Sequence, residues 1–261
     1  MKKSFILLFC VTLVLLLASA AMAFTGSYTE GTGINGSVHD LRPSNPGLNY
    51  DANPADYKTR ICIYCHAPHH AYRPNTAGAN GTGPLAPADY TYLPLWNHKV
   101  TGQAFIPYYN GPDAPQSGPK ASQAIVNFDK IGAVSLLCLS CHDGTVAVNE
   151  YGNATQDARS QSSGGGMIAD QYKIGKDGNL SNHHPIGFSW VAAAEDPEIA
   201  DPSVAAFGSL MVADVLYNGK MECSTCHNVH NKNNTGEKLL HISDANSNLC
   251  LTCHLKGTIT P

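Results

Sequence analysis

Charged side chains are scarce in this chain of 261 residues. Asp, Glu, Lys and Arg make up 14% of the sequence, whereas about 25% is typical of soluble domains. The 16 basic residues are outnumbered by 20 acidic ones, which gives a net charge of −4 at neutral pH. Proteins that bind nucleic acid carry a basic surface. The composition therefore argues against nucleic acid as a partner.

Long hydrophobic runs are also missing, apart from one at the N-terminus. That run covers residues 5–17, which is shorter than the roughly 20 residues a membrane-spanning helix needs. It follows Lys2 and Lys3 and leads to Ala-Met-Ala at 21–23, the pattern of a secretory signal peptide with its cleavage site. We expect a signal peptide over 1–23, export, and no membrane span in the mature chain.

The mature chain offers little support for long helices or strands. The sequence contains 24 Gly and 16 Pro residues, and many of them lie in turn-forming stretches. We expect one domain over 24–261, irregular and mostly coil with short α-helices. The expected helices lie near 133–141, 204–216 and 244–254, the last with Asp244 as its N-cap.

The cysteines follow a strict pattern. One of the nine, Cys10, lies in the signal peptide, and the other eight form four C-x-x-C pairs, each followed directly by histidine. In chain order, motifs one to four are Cys62-Ile63-Tyr64-Cys65-His66, Cys138-Leu139-Ser140-Cys141-His142, Cys223-Ser224-Thr225-Cys226-His227 and Cys250-Leu251-Thr252-Cys253-His254.

C-x-x-C-H is the attachment motif of c-type haem. Two thiols one short turn apart reach the two vinyl groups on one edge of the porphyrin, and the following imidazole ligates the iron as the proximal ligand. We predict four covalent haems c per chain. Their fold is then a multihaem c-type cytochrome organised around its haems, which take the place of side chains in the apolar core.

Zinc sites and disulfides are the alternative uses of paired cysteines. Histidine accounts for 12 of 261 residues, so its chance occurrence after all four pairs has a probability on the order of 10⁻⁵ or less. Zinc would also require two pairs to converge and would leave the four trailing histidines without a use. Haem attachment explains both the pairs and the histidines.

The supply of sixth ligands favours histidine over methionine. Eight further histidines are present, against three methionines beyond the signal peptide. Methionine ligation raises the haem potential, so the composition predicts low-potential, six-coordinate, bis-histidine haems. The candidates are His39, His69, His98, His184 and His230, with His70 and His183 as alternates to their neighbours and His241 as the weakest.

Local sequence supports each candidate in a different way. His69 and His230 stand three residues beyond a proximal histidine, about one helical turn, from which each can reach a second haem beside its own. The alternative for both is a solvated histidine near a haem propionate. His98 and His184 have apolar neighbours, whereas His39 precedes a carboxylate that can orient its imidazole. The sequence leaves the assignment of sixth ligands to haems open.

Sequence blocks around the motifs are specific to a narrower family than the C-x-x-C-H motifs themselves. They are SVHD at 37–40, CIYCHAPHHA at 62–71, LWNH at 95–98, LCLSCHDGTVAVN at 137–149, NHHPIGF at 182–188, CSTCHNVHN at 223–231 and LCLTCH at 249–254. In these blocks the chain resembles the extracellular tetrahaem c-type cytochromes of Geobacter-type metal-reducing bacteria, the nanowire cytochromes.

The resemblance implies a function as well as a fold. It implies bis-histidine haems in a stacked chain, export to the cell surface and, in some members, polymerisation into filaments with a continuous haem path. The implied partners are further copies of the chain in a head-to-tail homopolymer, together with other redox proteins or extracellular electron acceptors.

Electron transfer without catalysis is the function we expect. A multihaem reductase is the competing class, but it needs an iron with an open position, and regular motifs with spare histidines argue against one. A soluble periplasmic shuttle has the same chemistry and differs in location and assembly. For a filament, we expect at least one sixth ligand from the neighbouring subunit. His39 is the first candidate, because it follows a glycine-rich segment (Gly26, Gly31, Gly33, Gly36) able to reach outward or to fold over its own first haem.

Overall fold

The computed structural model describes ten stretches of the chain. They are residues 33–42, 60–69, 71, 90, 92–108, 131–148, 150–151, 166–168, 170–230 and 239–255. All four motifs lie within these ranges. The predicted signal peptide, Gly26, Gly31 and His70 lie outside them.

Short helices joined by irregular chain make up most of the described residues. The longest is α1 (Ala133–His142), with ten residues. The others are α2 (Trp190–Ala193), α3 (Val212–Val215), α4 (Cys223–Cys226) and α5 (Asn248–Cys253), together with the 3₁₀ turns Cys62–Tyr64, Asp170–Tyr172, Lys176–Gly178 and Ala245–Ser247. The expected fold, irregular and mostly coil with short α-helices, is confirmed. Within the described ranges, no helix is long and apolar enough to cross a membrane.

Two of the three predicted helices form where they were expected. Helix α1 covers the predicted 133–141. The predicted helix over 244–254 divides into the 3₁₀ turn Ala245–Ser247 and α5. It divides there because Asn246 and Ser247 adopt left-handed backbone angles, which a continuous helix does not allow. Asp244 stands at the N-cap position of that turn, but its side chain makes no capping hydrogen bond.

The predicted helix over 204–216 is wrong in its first half. This stretch begins as a hairpin, in which β1 (Ala206–Phe207) pairs antiparallel with β2 (Leu210–Met211). Gly208 occupies the turn with φ of +66°, a conformation that glycine adopts without steric cost. Only the second half is helical, as the single turn of α3.

Side chains pack into two separate apolar clusters. The first cluster surrounds α1 and consists of Tyr90, Trp96, Ile131, Leu136, Leu137, Leu139 and Leu180. The second cluster lies around the hairpin and consists of Phe188, Trp190, Ala193, Phe207, Val212, Met221 and Ile242. Cys65 packs against the first, and Cys226 and Cys253 against the second. The apolar interior therefore extends to the positions of haem attachment.

A hairpin turn sets the start of the third motif. Tyr217 pairs with Lys220, and the two residues between them, Asn218 and Gly219, have φ of 51° and 72°, as a two-residue hairpin of Asn-Gly type requires. The chain then runs antiparallel to 187–188, because Gly187 N–H donates to Met221 O at 2.7 Å and Met221 N–H donates to Phe188 O at 3.0 Å. Helix α4 follows directly and packs on α1, so the third motif meets the second.

Val212 and Val191 allow a matched test of the second cluster. Both lie in one-turn helices, but Val212 is 0% exposed and Val191 is 73% exposed. We expect Val212→Ala to lower the free energy of unfolding by about 2 kcal/mol, because it leaves a cavity among buried side chains. Val191→Ala should change it by less than about 0.5 kcal/mol. Guanidinium unfolding of the purified protein, followed by tryptophan fluorescence, measures both; equal effects would contradict the cluster.

Candidate haem sites

Each C-x-x-C-H motif occupies one helical turn. In motifs one, three and four, the backbone N–H of the proximal histidine donates to the carbonyl of the first cysteine, at 2.8 Å for His66, 3.1 Å for His227 and 2.9 Å for His254. The second motif forms the end of α1, which finishes at His142. Residues i, i+3 and i+4 of a helical turn share one face. The two thiols and the imidazole of each motif therefore project to the same side, as attachment to one porphyrin requires.

Distant segments hold the backbone where each turn ends. His66 pairs in an isolated bridge with Trp96, His227 with Leu240, and His254 with Ile199. At the second motif, Ile174 N–H donates to His142 O at 2.7 Å. Because one backbone contact from elsewhere in the chain follows every turn, the direction of each proximal imidazole depends on long-range packing.

Asn97 supports the first motif from within the block at 95–98. Its buried side-chain amide donates to Ile63 O at 2.6 Å, inside the C-x-x-C turn. Its backbone N–H donates to Cys65 O at 2.8 Å. Sequence reasoning missed this role, since it treated the block as the surroundings of a ligand at position 98. An asparagine in an otherwise apolar Leu-Trp-Asn stretch was the available signal.

A second histidine ring faces the proximal histidine in three of the motifs. The ring centroids are 6.0 Å apart for His39 and His142, 6.3 Å for His66 and His230, and 6.2 Å for His184 and His254. Imidazole nitrogens bind first-row metals such as zinc at about 2 Å, so two rings on opposite sides of one metal have centroids about 6 Å apart. Each pair thus has the spacing that suits one iron ion between two imidazoles.

Hydrogen bonds and burial keep these imidazoles in the form that binds metal. The Nδ1 atoms of His66 and His184 donate to Pro94 O at 2.7 Å and Pro185 O at 2.9 Å, which leaves the lone pair on Nε2. Burial lowers the pKa of His39 to about 4, so its ring is neutral at pH 7, as a ligand must be. The buried Nδ1 of His39 has no hydrogen-bond partner among the described residues, a state that a bound metal or cofactor can relieve.

The cysteines suit thioether formation better than zinc binding. None of the eight motif cysteines is in a disulfide. Burial raises the pKa of Cys65 and Cys226 to about 11 and that of Cys253 to about 12, so the free thiols are neutral at pH 7. In the part of the chain that the structure describes, no three His, Cys, Asp or Glu side chains form a group able to hold a metal ion. The residues therefore fit haem c better than zinc.

The N-terminal segment lies against its own chain. His39 is half-buried, and its ring lies against that of His142 of the second motif. This differs from both positions considered for it, a haem of a neighbouring subunit and the first haem of its own chain. Asp40 does not orient the Nδ1 atom of His39; its carboxylate accepts instead from Gly36 N–H at 2.8 Å and from Arg42 Nε at 2.7 Å. The carboxylate thus closes the turn that carries His39.

The remaining predicted ligands have different surroundings. His98 is 1% exposed, and its Nδ1 and Nε2 lie 2.7 Å and 2.9 Å from the carbonyl oxygens of Lys99 and Ala147. Its ring contacts Trp96, and no described proximal histidine is in ring contact with it. His69 is exposed. Ligation of iron by these two residues stays a prediction.

In the doubled histidine at 183–184, the ring in contact with His254 is that of His184. Ligation of iron by His184 stays a prediction. His241, the weakest candidate, has its Nε2 3.3 Å from Ser224 O and its ring against Phe207. It borders the third motif without facing a proximal imidazole among the described residues.

One known protein family matches part of the chain. Residues 217–258 match the family described as Doubled CXXCH motif, a span that contains the third and fourth motifs. No curated protein matches the chain. The paired motifs indicate covalently bound haem c and a function in electron transfer. These properties define the class of the multihaem c-type cytochromes.

Proposed function

We propose that this chain is an exported electron conduit that holds four haems c, each with two histidine ligands, and that catalyses no reaction. The observation that carries the proposal is the set of three histidine pairs with ring centroids 6.0 to 6.3 Å apart. Each pair joins a motif to a histidine far away in the sequence. Two imidazoles at this spacing can hold one metal ion between their nitrogen atoms.

The pairs support three sixth ligands from within the chain, namely His39 for the second motif, His230 for the first and His184 for the fourth. Haem held by two histidines at each of these sites would supply one-electron exchange at a low potential. The chain's own contribution is to hold the paired imidazoles in position. His39 and His142 are half-buried, and desolvation lowers the pKa of both.

Contact between two of the motifs supports an electron path through the chain. Helix α1, which carries the second motif, packs on α4, which forms the third. Ser135 Oγ of α1 accepts a hydrogen bond from Cys223 N–H at 3.0 Å. Haems attached at these two motifs would lie close enough for an electron to pass between them.

A filament of such chains is the assembly that we propose, in line with the resemblance to the extracellular nanowire cytochromes. His69 is the candidate for a ligand shared between subunits, because its ring is exposed and faces no other ring among the described residues. A contact between unlike surfaces produces an open polymer when its rotation does not close. The location would then be extracellular or at the cell surface. A periplasmic monomeric shuttle is the alternative.

The number of haems follows from the number of complete motifs. We expect the mature protein to carry four covalent haems, because each motif places two thiols and an imidazole on one face of a helical turn. Intact mass spectrometry after acid extraction measures this number directly. A properly matured sample with three or fewer haems would contradict the proposal.

Removing one facing histidine should affect one haem alone. We expect His39→Ala to leave one of four haems high-spin, since the second motif then has a single imidazole ligand. Electron paramagnetic resonance and the binding of carbon monoxide to the reduced protein measure the change, with His183→Ala as the neutral control. If the unmodified protein already binds carbon monoxide in stoichiometric amounts, the multihaem reductase becomes the better interpretation.

Loss of a shared ligand should change ligation and assembly together. We expect His69→Ala to leave one haem per subunit high-spin and to convert filaments into monomers, as seen by electron microscopy and size-exclusion chromatography. Filaments that persist with one high-spin haem would place His69 on a haem of its own chain. Unmodified protein that stays monomeric at high concentration, with every iron six-coordinate, would favour the periplasmic shuttle.

A further inference from the structure

Glu222 is a buried carboxylate at the junction of the second and third motifs. It directly precedes Cys223, and its side chain is 1% exposed. Ser135 Oγ, from the first turn of α1, donates to its Oε2. The same hydroxyl accepts a hydrogen bond from Cys223 N–H at 3.0 Å. The carboxylate is therefore tied to the helix of one motif and to the first residue of the next.

The pocket around this carboxylate is closely fitted on one side. A Cβ atom at position 132 would overlap Oε1 and the rest of the Glu222 carboxyl group, so glycine at that position leaves the room that the carboxyl group occupies. Oε1 is buried and has no hydrogen-bond partner within the described residues. An ionised carboxylate with one such oxygen carries a large desolvation cost, which protonation removes.

Few charges face this group. Lys220 is the nearby cation, while Tyr217 and the thiols of Cys138 and Cys223 are the other titratable neighbours. Burial raises the pKa of Glu222 above its ordinary range, an effect opposed by the hydrogen bond from Ser135 and by Lys220. Both thiols become thioethers on haem attachment and then no longer titrate. Glu222 remains as the buried acid between the two sites.

We propose that Glu222 binds and releases one proton in step with the electron on the haems attached at Cys138 and Cys223. The inference rests on the proposed electron-transfer function. Glu222 takes up a proton from solvent, and becomes a neutral carboxylic acid, when a low-potential one-electron donor delivers one electron that reduces Fe(III) to Fe(II). It returns the proton when that electron leaves. One electron and one proton move in each direction, and no other bond changes.

The direction of the pH dependence follows from charge. An added electron favours the protonated acid, so the pKa of Glu222 is higher in the reduced protein than in the oxidised one. Between these two pKa values, reduction takes up a proton, and the reduction potential falls as the pH rises. The slope is at most about 59 mV for each tenfold change in proton concentration. When the pH lies below both pKa values or above both of them, the reduction potential does not depend on pH.

The test compares haem-loaded protein with its Glu222→Gln variant by spectroelectrochemical titration over a series of pH values. Glutamine has the same shape and keeps an oxygen that accepts from Ser135. We expect a sloping region above the ordinary pKa range of glutamate in the unmodified protein, and its loss in Glu222→Gln. The infrared difference between reduced and oxidised protein should contain a carboxylic-acid band that the variant lacks. Glu195→Gln, at an exposed glutamate, should change neither.

Two results would overturn the inference. Potentials of the unmodified protein that are independent of pH would show that no proton follows the electron. A sloping region and an infrared band that survive in Glu222→Gln would assign the proton to another group, such as a haem propionate. In both cases four low-spin haems would remain, whereas failure of the proposed function itself would appear as missing or high-spin haems.

A second variant covers the case in which Glu222→Gln does not mature. Ser135→Ala keeps the carboxyl group but removes the hydroxyl that stabilises its ionised form, so the sloping region should move to higher pH. If the reduction potential of this variant depends on pH over the same pH range as in the unmodified protein, a role for Glu222 is contradicted.

Discussion

The geometry of a single helical turn underlies the arrangement of this protein. Two thiols and an imidazole can serve one porphyrin only if they lie on the same face, and positions i, i+3 and i+4 of a turn provide that face at each motif. The turn is too short to be stable alone. It is stabilised by the isolated backbone bridges that join His66, His227 and His254 to other segments of the chain. The local geometry of haem attachment therefore depends on the folding of the whole chain.

Low charge density and the small side-chain clusters have a common physical cause. The interior must accommodate apolar macrocycles, neutral thiols and neutral imidazoles, and ionised side chains would have to be desolvated to lie beside them. Burial raises the pKa of Cys65 and lowers that of His39, which keeps both groups uncharged. Asp40, Asp143 and Glu222 are buried carboxylates that depart from this pattern, and Glu222 lies between the second and third motifs.

Three histidine pairs connect three of the four motifs to parts of the chain that are far away in the sequence. His39 and His142 are about a hundred positions apart, and His66 and His230 more than one hundred and sixty, yet their rings face each other at the spacing of two ligands on one metal. Each pair therefore closes a long loop of chain. Iron bonds that close such loops would stabilise a fold whose side-chain clusters are small, because they restrict the unfolded chain.

The sequence by itself determined the attachment chemistry, the irregular fold class and the set of candidate ligands, because C-x-x-C-H is a local pattern that acts within one helical turn. Only the tertiary structure decided which histidine faces which motif, since ring contacts between His184 and His254 or between His66 and His230 depend on how distant segments pack. The same reason explains the hairpin at Gly208 in place of a helix, the carbonyl contacts of His98 and the burial of Glu222. Sequence patterns report local geometry and average burial, whereas a particular partner is chosen by packing across the whole chain.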